Sequence, residues 1–155
     1  MIMAIDFDGS IVREDRAYND LTSPLKFVRG AGDALYALKS AGHVLLLWSA
    51  RANRALRENP YLDPLVRGGV RGVNAREWMA AQPLHEARYQ EMIQFVKKEL
   101  PGVFDAIDDG VQGKPDVDLF IDDKMLARID WPAIRSTYAN ASAIEEQQRI
   151  EWAAT

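Results

Sequence analysis

Four short runs of mostly apolar residues recur along the chain, and each ends at a turn or at polar residues. The runs are Met1–Phe7, Val44–Trp48, Phe104–Ile107 and Asp118–Ile121. Near-continuous apolar runs of this length are typical of strands buried on both faces, as in a parallel sheet covered by helices. The pattern therefore predicts four strands at the centre of the fold.

Apolar residues at helical spacing lie between and after these runs. They predict helices over 31–41, ended by Gly42, over 84–100, ended by Pro101-Gly102, and from an Asp130 cap to Ile144. Strands alternating with helices predict a three-layer, Rossmann-like α/β domain with a mainly parallel sheet. Residues 9–30 and 52–83 lack this regularity, and 52–83 is expected to be a small irregular insert of loops and short helices.

Length and composition narrow the class of protein. A chain of 155 residues is expected to fold as one domain, 1–155. The net charge of −4 argues against a nucleic-acid coat protein, and the absence of cysteine excludes disulfides, zinc–thiolate sites and thiol nucleophiles. The apolar runs are too short for a signal sequence or a membrane span, so a cytoplasmic protein is expected.

Polar side chains follow the first two predicted strands, where α/β sheets bind their ligands. Asp6 and Asp8 in the DFDGS segment can face one site, because side chains two apart on a strand point the same way. Gly9 lets the backbone turn there. Ser49 and Arg51 follow the second strand and can bond phosphate oxygens, although Ser49 can equally be a helix N-cap.

Two further groups of polar residues flank the last predicted strand. Lys114, in Gly113-Lys114-Pro115, can neutralise a phosphate, although a lone loop lysine is usually solvated. Asp122 and Asp123 end the DLFI run, where carboxylates suit either Mg²⁺ or a solvated turn. Each of these signals is weak when taken alone.

The order of the four groups is more specific than any one of them. A strand followed by DxDGS, a strand followed by Ser, and GKP before a strand with Asp-Asp resembles the haloacid dehalogenase (HAD) superfamily of phosphotransferases. The resemblance covers about residues 2–124. It implies a phosphatase or phosphotransferase, because Asp stands at the position of Asp8, and a HAD-like fold without a large cap domain, because neither irregular segment is long enough for one.

The resemblance also implies a role for each residue. Asp6 would be the nucleophile that forms an aspartyl-phosphate, and Asp8 would be the general acid and base. Mg²⁺ would be held by the Asp6 carboxylate, the Asp8 carbonyl and one acid of the later pair, with Asp123 favoured over Asp122. The groups expected to bind the phosphoryl oxygens are Ser49, Lys114, Gly9 and Arg51.

The substrate is left open among phosphorylated small molecules, nucleotides and nucleic-acid ends. A weaker similarity of the LLLWSAR and DLFIDDK segments to deoxyribonucleotidase-like and polynucleotide-phosphatase-like members favours a nucleotide or polynucleotide end. Tyr61 and Trp78 could stack on a base, and a basic rim could attract an anion. The arginines of that rim are Arg51, Arg54, Arg57, Arg67, Arg71 and Arg76.

Two rival interpretations remain. A receiver domain uses similar groups, but its acid pair comes early and its phospho-acceptor lies in mid-chain, which is not the order here. A catalytically silent domain that binds phosphate or a partner would be distinguished by activity with and without Mg²⁺. The sequence does not reveal the oligomeric state.

Overall fold

The computed structural model describes residues 1–58, 75–124 and 128–140, and within these ranges the four predicted strands form one parallel sheet. In chain order they are β1 (Ile2–Ile5), β2 (Val44–Leu47), β3 (Ala106–Ile107) and β4 (Leu119–Ile121). Parallel pairing joins β1 to β2 and to β4, and β2 to β3. The predicted α/β architecture is confirmed, with each strand shorter than its apolar run.

The strand order across the sheet is β3-β2-β1-β4. From the central strand β1 the chain builds outward through β2 and β3, and then crosses back to place β4 on the other side of β1. Open parallel sheets bind ligands beyond the carboxyl ends of the strands at the point where the order reverses. This topology therefore puts the residues that follow β1 and β4 side by side in such a crevice.

One face of β1 and β2 is fully buried, whereas Ile2 and Val44 on the other face are each 40% exposed. Met3, Ile5, Leu45 and Leu47 are at most 1% exposed. The core continues into the segment after β1, where Phe7 is fully buried. Burying side chains of this size contributes about 1.5–3 kcal/mol each, so the sheet and the start of the loop after β1 form one rigid unit.

Two predicted helices are observed close to their expected bounds. Helix α1 (Ala31–Ser40) is followed by Gly42 in the left-handed region, at φ 91°. Helix α4 (Trp131–Tyr138) begins at Asp130, whose Oδ1 accepts a hydrogen bond from the Ala133 N–H at 3.0 Å. The helix ends at Tyr138 with Ala139 as its C-cap, so the predicted continuation to Ile144 is wrong at residues 139–140, and residues 141–144 lie outside the described residues. The two helices pack against each other.

The predicted insert at 52–83 is wrong in its second part. Residues 50–52 form a 3₁₀ turn, α2 (Arg54–Arg57) follows, and helix α3 (Ala75–Glu99) begins nine residues before the predicted start at Leu84. Pro83 lies inside α3 and is exposed. Its ring meets solvent, and the loss of one intrahelical hydrogen bond does not end a helix of 25 residues.

Among the described helices, none combines the length and the apolar character that a membrane span requires. The long helix α3 instead packs against α2 and the 3₁₀ turn. This contact positions the segment after β2 beside the carboxyl ends of the strands.

Candidate functional site

Three carboxylates meet beyond the carboxyl ends of β1 and β4. Asp6 directly follows β1, Asp122 and Asp123 directly follow β4, and one oxygen from each of the three lies within 4.8 Å of the others. The strands are fastened together at this point, because the Asp6 N–H donates to the Ile121 carbonyl at 2.9 Å. The sheet thus brings together acids from opposite ends of the chain, as the sequence led us to expect.

The surroundings of Asp6 make the ionised form of its carboxyl group less favourable. Burial raises the pKa of Asp6 to about 7, and the charges of Asp122 and Asp123 push in the same direction. Hydrogen bonds from the Phe7 backbone and from the Ser10 hydroxyl, at 3.3 Å, oppose the increase but do not cancel it. A cation among the three carboxylates would remove this cost.

The donor set is compatible with a hard divalent cation such as Mg²⁺. All three side chains offer hard oxygen atoms, and the ion takes oxygen ligands at about 2.0–2.1 Å in octahedral geometry, which separates neighbouring ligand oxygens by about 3 Å. One oxygen of each side chain lies within 4.8 Å of the other two. The carboxylate of Asp8 does not belong to the cluster.

A tight turn fixes the approach of Asp123 to the first aspartate segment. Gly9 has φ 78°, and its N–H donates to the Val12 carbonyl at 2.8 Å. A Cβ atom at position 9 would lie 2.8 Å from Cγ of Asp123, inside van der Waals contact. Two reasons therefore favour glycine at this position: it adopts the left-handed backbone without strain, and it leaves the space that Asp123 occupies.

Helix α4 supports the same turn from below. The Nε1–H of Trp131 donates to the Ser10 carbonyl at 2.7 Å, and both residues are buried. A buried carbonyl without a partner is costly, and so this bond stabilises the conformation of the loop.

Asp8 is held by a bidentate ion pair. Nε of Arg51 lies 2.7 Å from Oδ2 of Asp8, and Nη2 lies 2.7 Å from Oδ1. The Arg51 side chain is 4% exposed and also donates through Nη1 to the Arg88 carbonyl at 2.7 Å and to Glu91 at 3.0 Å. The guanidinium donates its hydrogen bonds to protein acceptors. Arg51 therefore orients Asp8, whereas the sequence pattern predicted that Arg51 would bind phosphate.

Glu91 on α3 joins Arg51 to a second arginine. Its carboxylate accepts hydrogen bonds from Arg51 and from Arg16, whose Nη2 lies 2.6 Å from Oε1. Burial alone would raise the pKa of Glu91, but the bonds to Arg16 and Arg51 outweigh burial and lower it. The sequence analysis missed Glu91, because the only local signal is an acid on a helix, which is typical of a solvated surface.

Ser49 lies where the sequence placed it, beyond the end of β2. Its Oγ accepts a hydrogen bond from the Arg51 N–H at 3.2 Å, so that it caps the 3₁₀ turn, and the residue is 5% exposed. Ser49 also lines the cleft over the carboxylates. A hydroxyl that accepts one bond can still donate another, and so the capping role and a phosphate-binding role are compatible.

The structure does not bring Lys114 to the carboxylates. Its Nζ lies 4.7 Å from the centre of the Phe120 ring, the residue is exposed, and it does not line the cleft. Lys124 lines the cleft instead, with its Nζ 3.3 Å from Oδ2 of Asp123. The cation beside the acid pair is therefore Lys124, which directly follows the pair in DLFIDDK and for which the sequence pattern predicted no role.

The carboxylates open into a cleft of about 820 Å³. Its walls include Asp8, Ser49, Lys124 and the half-exposed Tyr18, whose ring stacks on the guanidinium of Arg88 at 3.9 Å. The cleft is therefore acidic at its floor and carries aromatic and cationic groups on one wall.

Only part of the predicted basic rim can be located. Arg54 lines the cleft and pairs with Glu58, and Arg57 lies over the Tyr89 ring at 3.8 Å. Arg67, Arg71 and Tyr61 lie outside the described residues, and the side chains of Arg76 and Trp78 also fall outside them.

Comparison with known proteins leaves the family open. No protein-family model matches the chain, and no curated protein matches it. Among solved structures, the chain is similar to a conserved protein coded by a locus from Bacteroides thetaiotaomicron. The two share 26% identity over 95% of this chain and 91% of that chain, with a TM-score of 0.47.

Proposed function

We propose that this protein is a Mg²⁺-dependent phosphomonoesterase of the HAD type that acts through an aspartyl-phosphate on Asp6. The observation that carries the proposal is the convergence of Asp6, Asp122 and Asp123 at one edge of a parallel sheet. A second acid, Asp8, lies in the same cleft and is fixed by Arg51. Paired acids beside a cation site are what two-step phosphate hydrolysis requires.

The floor of the cleft makes a divalent cation necessary for this reaction. A phosphate dianion would be repelled by three carboxylates, and Lys124 alone does not compensate their charge. Bound Mg²⁺ would be held by Asp6, Asp123 and the Asp8 carbonyl, with Asp122 beside them, and would supply the positive charge that lets phosphate and carboxylate approach.

In the first step, a carboxylate oxygen of Asp6 attacks the phosphorus atom. The bond from phosphorus to the ester oxygen breaks, and Asp8 donates its proton to that departing oxygen, so that an alcohol leaves. The phosphoryl group then resides on Asp6 as an acyl phosphate.

In the second step, water attacks the same phosphorus atom. Asp8, now a carboxylate, accepts a proton from the water, and the bond from phosphorus to the Asp6 oxygen breaks. Inorganic phosphate leaves, and both aspartates return to their starting states.

The ion pair with Arg51 is compatible with proton transfer through Asp8. Each Asp8 oxygen accepts one bond from Arg51 and retains a second lone pair, which is where the transferred proton can reside. The pair fixes the direction of those lone pairs and so orients the proton transfer.

Ser49 and Lys124 are the groups that we assign to the phosphoryl oxygens. Both line the cleft, and a hydroxyl and an ammonium group are complementary to phosphate oxygens. Lys124 takes the role that the sequence analysis gave to Lys114.

The test is phosphate release from 4-nitrophenyl phosphate with and without Mg²⁺. We expect turnover that requires the metal and is abolished in Asp6→Asn. Asp116→Asn is a matched control, because Asp116 is an exposed acid that does not line the cleft. Equal turnover by Asp6→Asn and the parent would rule out the covalent mechanism, and phosphate binding without any turnover would favour the catalytically silent domain.

A further inference from the structure

The wall of the cleft next to Asp8 carries an aromatic side chain that is held in place on several sides. Arg88 stacks its guanidinium on the Tyr18 ring at 3.9 Å and donates through Nη1 to the Tyr18 carbonyl at 2.8 Å. The phenol oxygen lies 2.7 Å from Nδ1 of His85, whose ring meets Tyr18 edge-on with centroids 5.7 Å apart. The ring is therefore fixed, although it belongs to a loop.

Tyr18 is nevertheless 52% exposed, and it lines the cleft. Arg88 covers one face of the ring, which leaves the other face as the surface on which a planar ring could stack. A fixed aromatic surface binds a planar ring with little loss of side-chain freedom. Trp48 and Leu56 add apolar surface to the same cleft.

The position of this surface relative to Asp8 selects the kind of ligand. Nη2 of Arg88 lies 4.0 Å from Oδ2 of Asp8, while the same guanidinium stacks on Tyr18. One guanidinium group thus separates the acid from the aromatic ring. A phenyl ester carries its ring directly on the departing oxygen and would stop short of Tyr18, whereas a nucleotide places its base one sugar away.

We propose that Tyr18 and Arg88 form the base-binding subsite of a nucleoside monophosphatase. The proposal rests on the proposed function, because Asp8 marks the side of the leaving group only if it protonates that group. The sugar would lie over Arg88 and the base would stack on the open part of the Tyr18 ring. Gln112, which lines the same cleft, offers both a donor and acceptors to a base edge.

The test compares two substrates that differ only in the base. We expect kcat/KM for adenosine 5′-monophosphate to exceed that for ribose 5-phosphate by about tenfold or more, since stacking of one base on an aromatic side chain has an effect of that order. Tyr18→Ala should reduce this ratio to about one, whereas Tyr18→Phe, which keeps the ring, should preserve it. Tyr36→Ala is the matched control, because Tyr36 is an exposed tyrosine on α1 that does not line the cleft.

Measuring the ratio within each variant separates loss of the subsite from general damage to the fold. A ratio near one in the parent, or a ratio that survives Tyr18→Ala, would overturn the subsite while leaving the phosphatase intact. Binding of adenosine 5′-monophosphate to the parent and to Tyr18→Ala, measured by calorimetry in Mg²⁺, provides a readout that needs no turnover. Weaker binding by Tyr18→Ala supports the subsite even if no phosphomonoester is hydrolysed, and equal binding contradicts it.

Discussion

Replacement of Gly9 by alanine tests whether the close approach of Asp123 to the loop after β1 is needed for activity. The added Cβ would clash first with Oδ2 of Asp123 and would lie 2.8 Å from its Cγ, against an ordinary carbon–carbon contact of about 3.5 Å, so that the Asp123 carboxylate must move away by about 0.7 Å or more. The left-handed φ of 78° costs a further 1–2 kcal/mol, roughly, in any residue with a Cβ. Gly9→Ala should therefore lose both stability and the geometry of the cation site.

The expected loss of activity follows from that displacement. Misplacing a group by about 1 Å can reduce a rate by about 10²-fold, so we expect Gly9→Ala to lower kcat/KM for 4-nitrophenyl phosphate by about 10- to 100-fold. The increase in melting temperature on adding Mg²⁺ should shrink in the same variant, because Asp123 is one of the proposed ligands. Urea unfolding measures the stability component separately.

Gly42→Ala is the control that separates the two effects. Gly42 also has a positive φ, 91°, but a Cβ there would meet nothing within 4 Å among the described residues. It should lose about 1–2 kcal/mol of stability without losing activity or the response to Mg²⁺. The reasoning fails if Gly9→Ala keeps the full response to Mg²⁺, or if Gly42→Ala loses activity to the same extent.

Three further perturbations test other parts of the site. Arg51→Lys should lower the free energy of unfolding by about 1–3 kcal/mol and kcat by about tenfold or more, because an ammonium group lacks the planar fork that makes two parallel bonds to Asp8. Calorimetry should still detect Mg²⁺ binding by this variant. An unchanged kcat would contradict the positioning role. The metal-free protein should melt at a lower temperature at pH 8 than at pH 5. The folded state holds the Asp6 proton with a pKa of about 7, against an ordinary value of 3.8, so protonation favours the folded state and this advantage is lost as the pH rises through 7. Asp6→Asn should remove that contribution, and an equal pH response in the two proteins would refute it. Trp131→Phe should lower the free energy of unfolding, measured in urea, by about 1–3 kcal/mol, because it leaves the buried Ser10 carbonyl without its donor. A loss below roughly 0.5 kcal/mol would show that the bond contributes little to stability.

The sequence predicts the sheet and the meeting of Asp6 with Asp122 and Asp123 because both depend on main-chain geometry. Apolar runs of four to seven residues predict strands, parallel strands end at one edge of a sheet, and a side chain that directly follows a strand stays at that edge. For the same reason, Ser49 lies close to its expected position.

The sequence does not predict which partners the long side chains contact across that edge. Arg51 follows Ser49 as expected, but its guanidinium turns toward Asp8 and Glu91, and the acid on α3 that attracts it is unremarkable in the sequence. Lys114 precedes the last strand, but its side chain lies over the Phe120 ring. Such choices depend on tertiary packing, which local spacing does not encode.

The start of α3 was misjudged for a related reason. Pro83 is a strong local signal for the end of a helix. The helix nevertheless extends through it from Ala75. Helix α3 contacts α2 and the 3₁₀ turn, and these contacts join segments that are distant in the sequence, so a local sequence pattern cannot reveal them.

The hydrogen bond from Trp131 to Ser10 makes the last described helix a structural part of the nucleophile loop. A fragment ending at Lys124 would contain all the described side chains that line the cleft, yet it would lack the indole that fixes the carbonyl four residues after Asp6. Such a fragment would hold the complete set of reactive groups without a stable arrangement of them. Adding residues 125–155 as a separate peptide should then restore the arrangement in proportion to peptide occupancy.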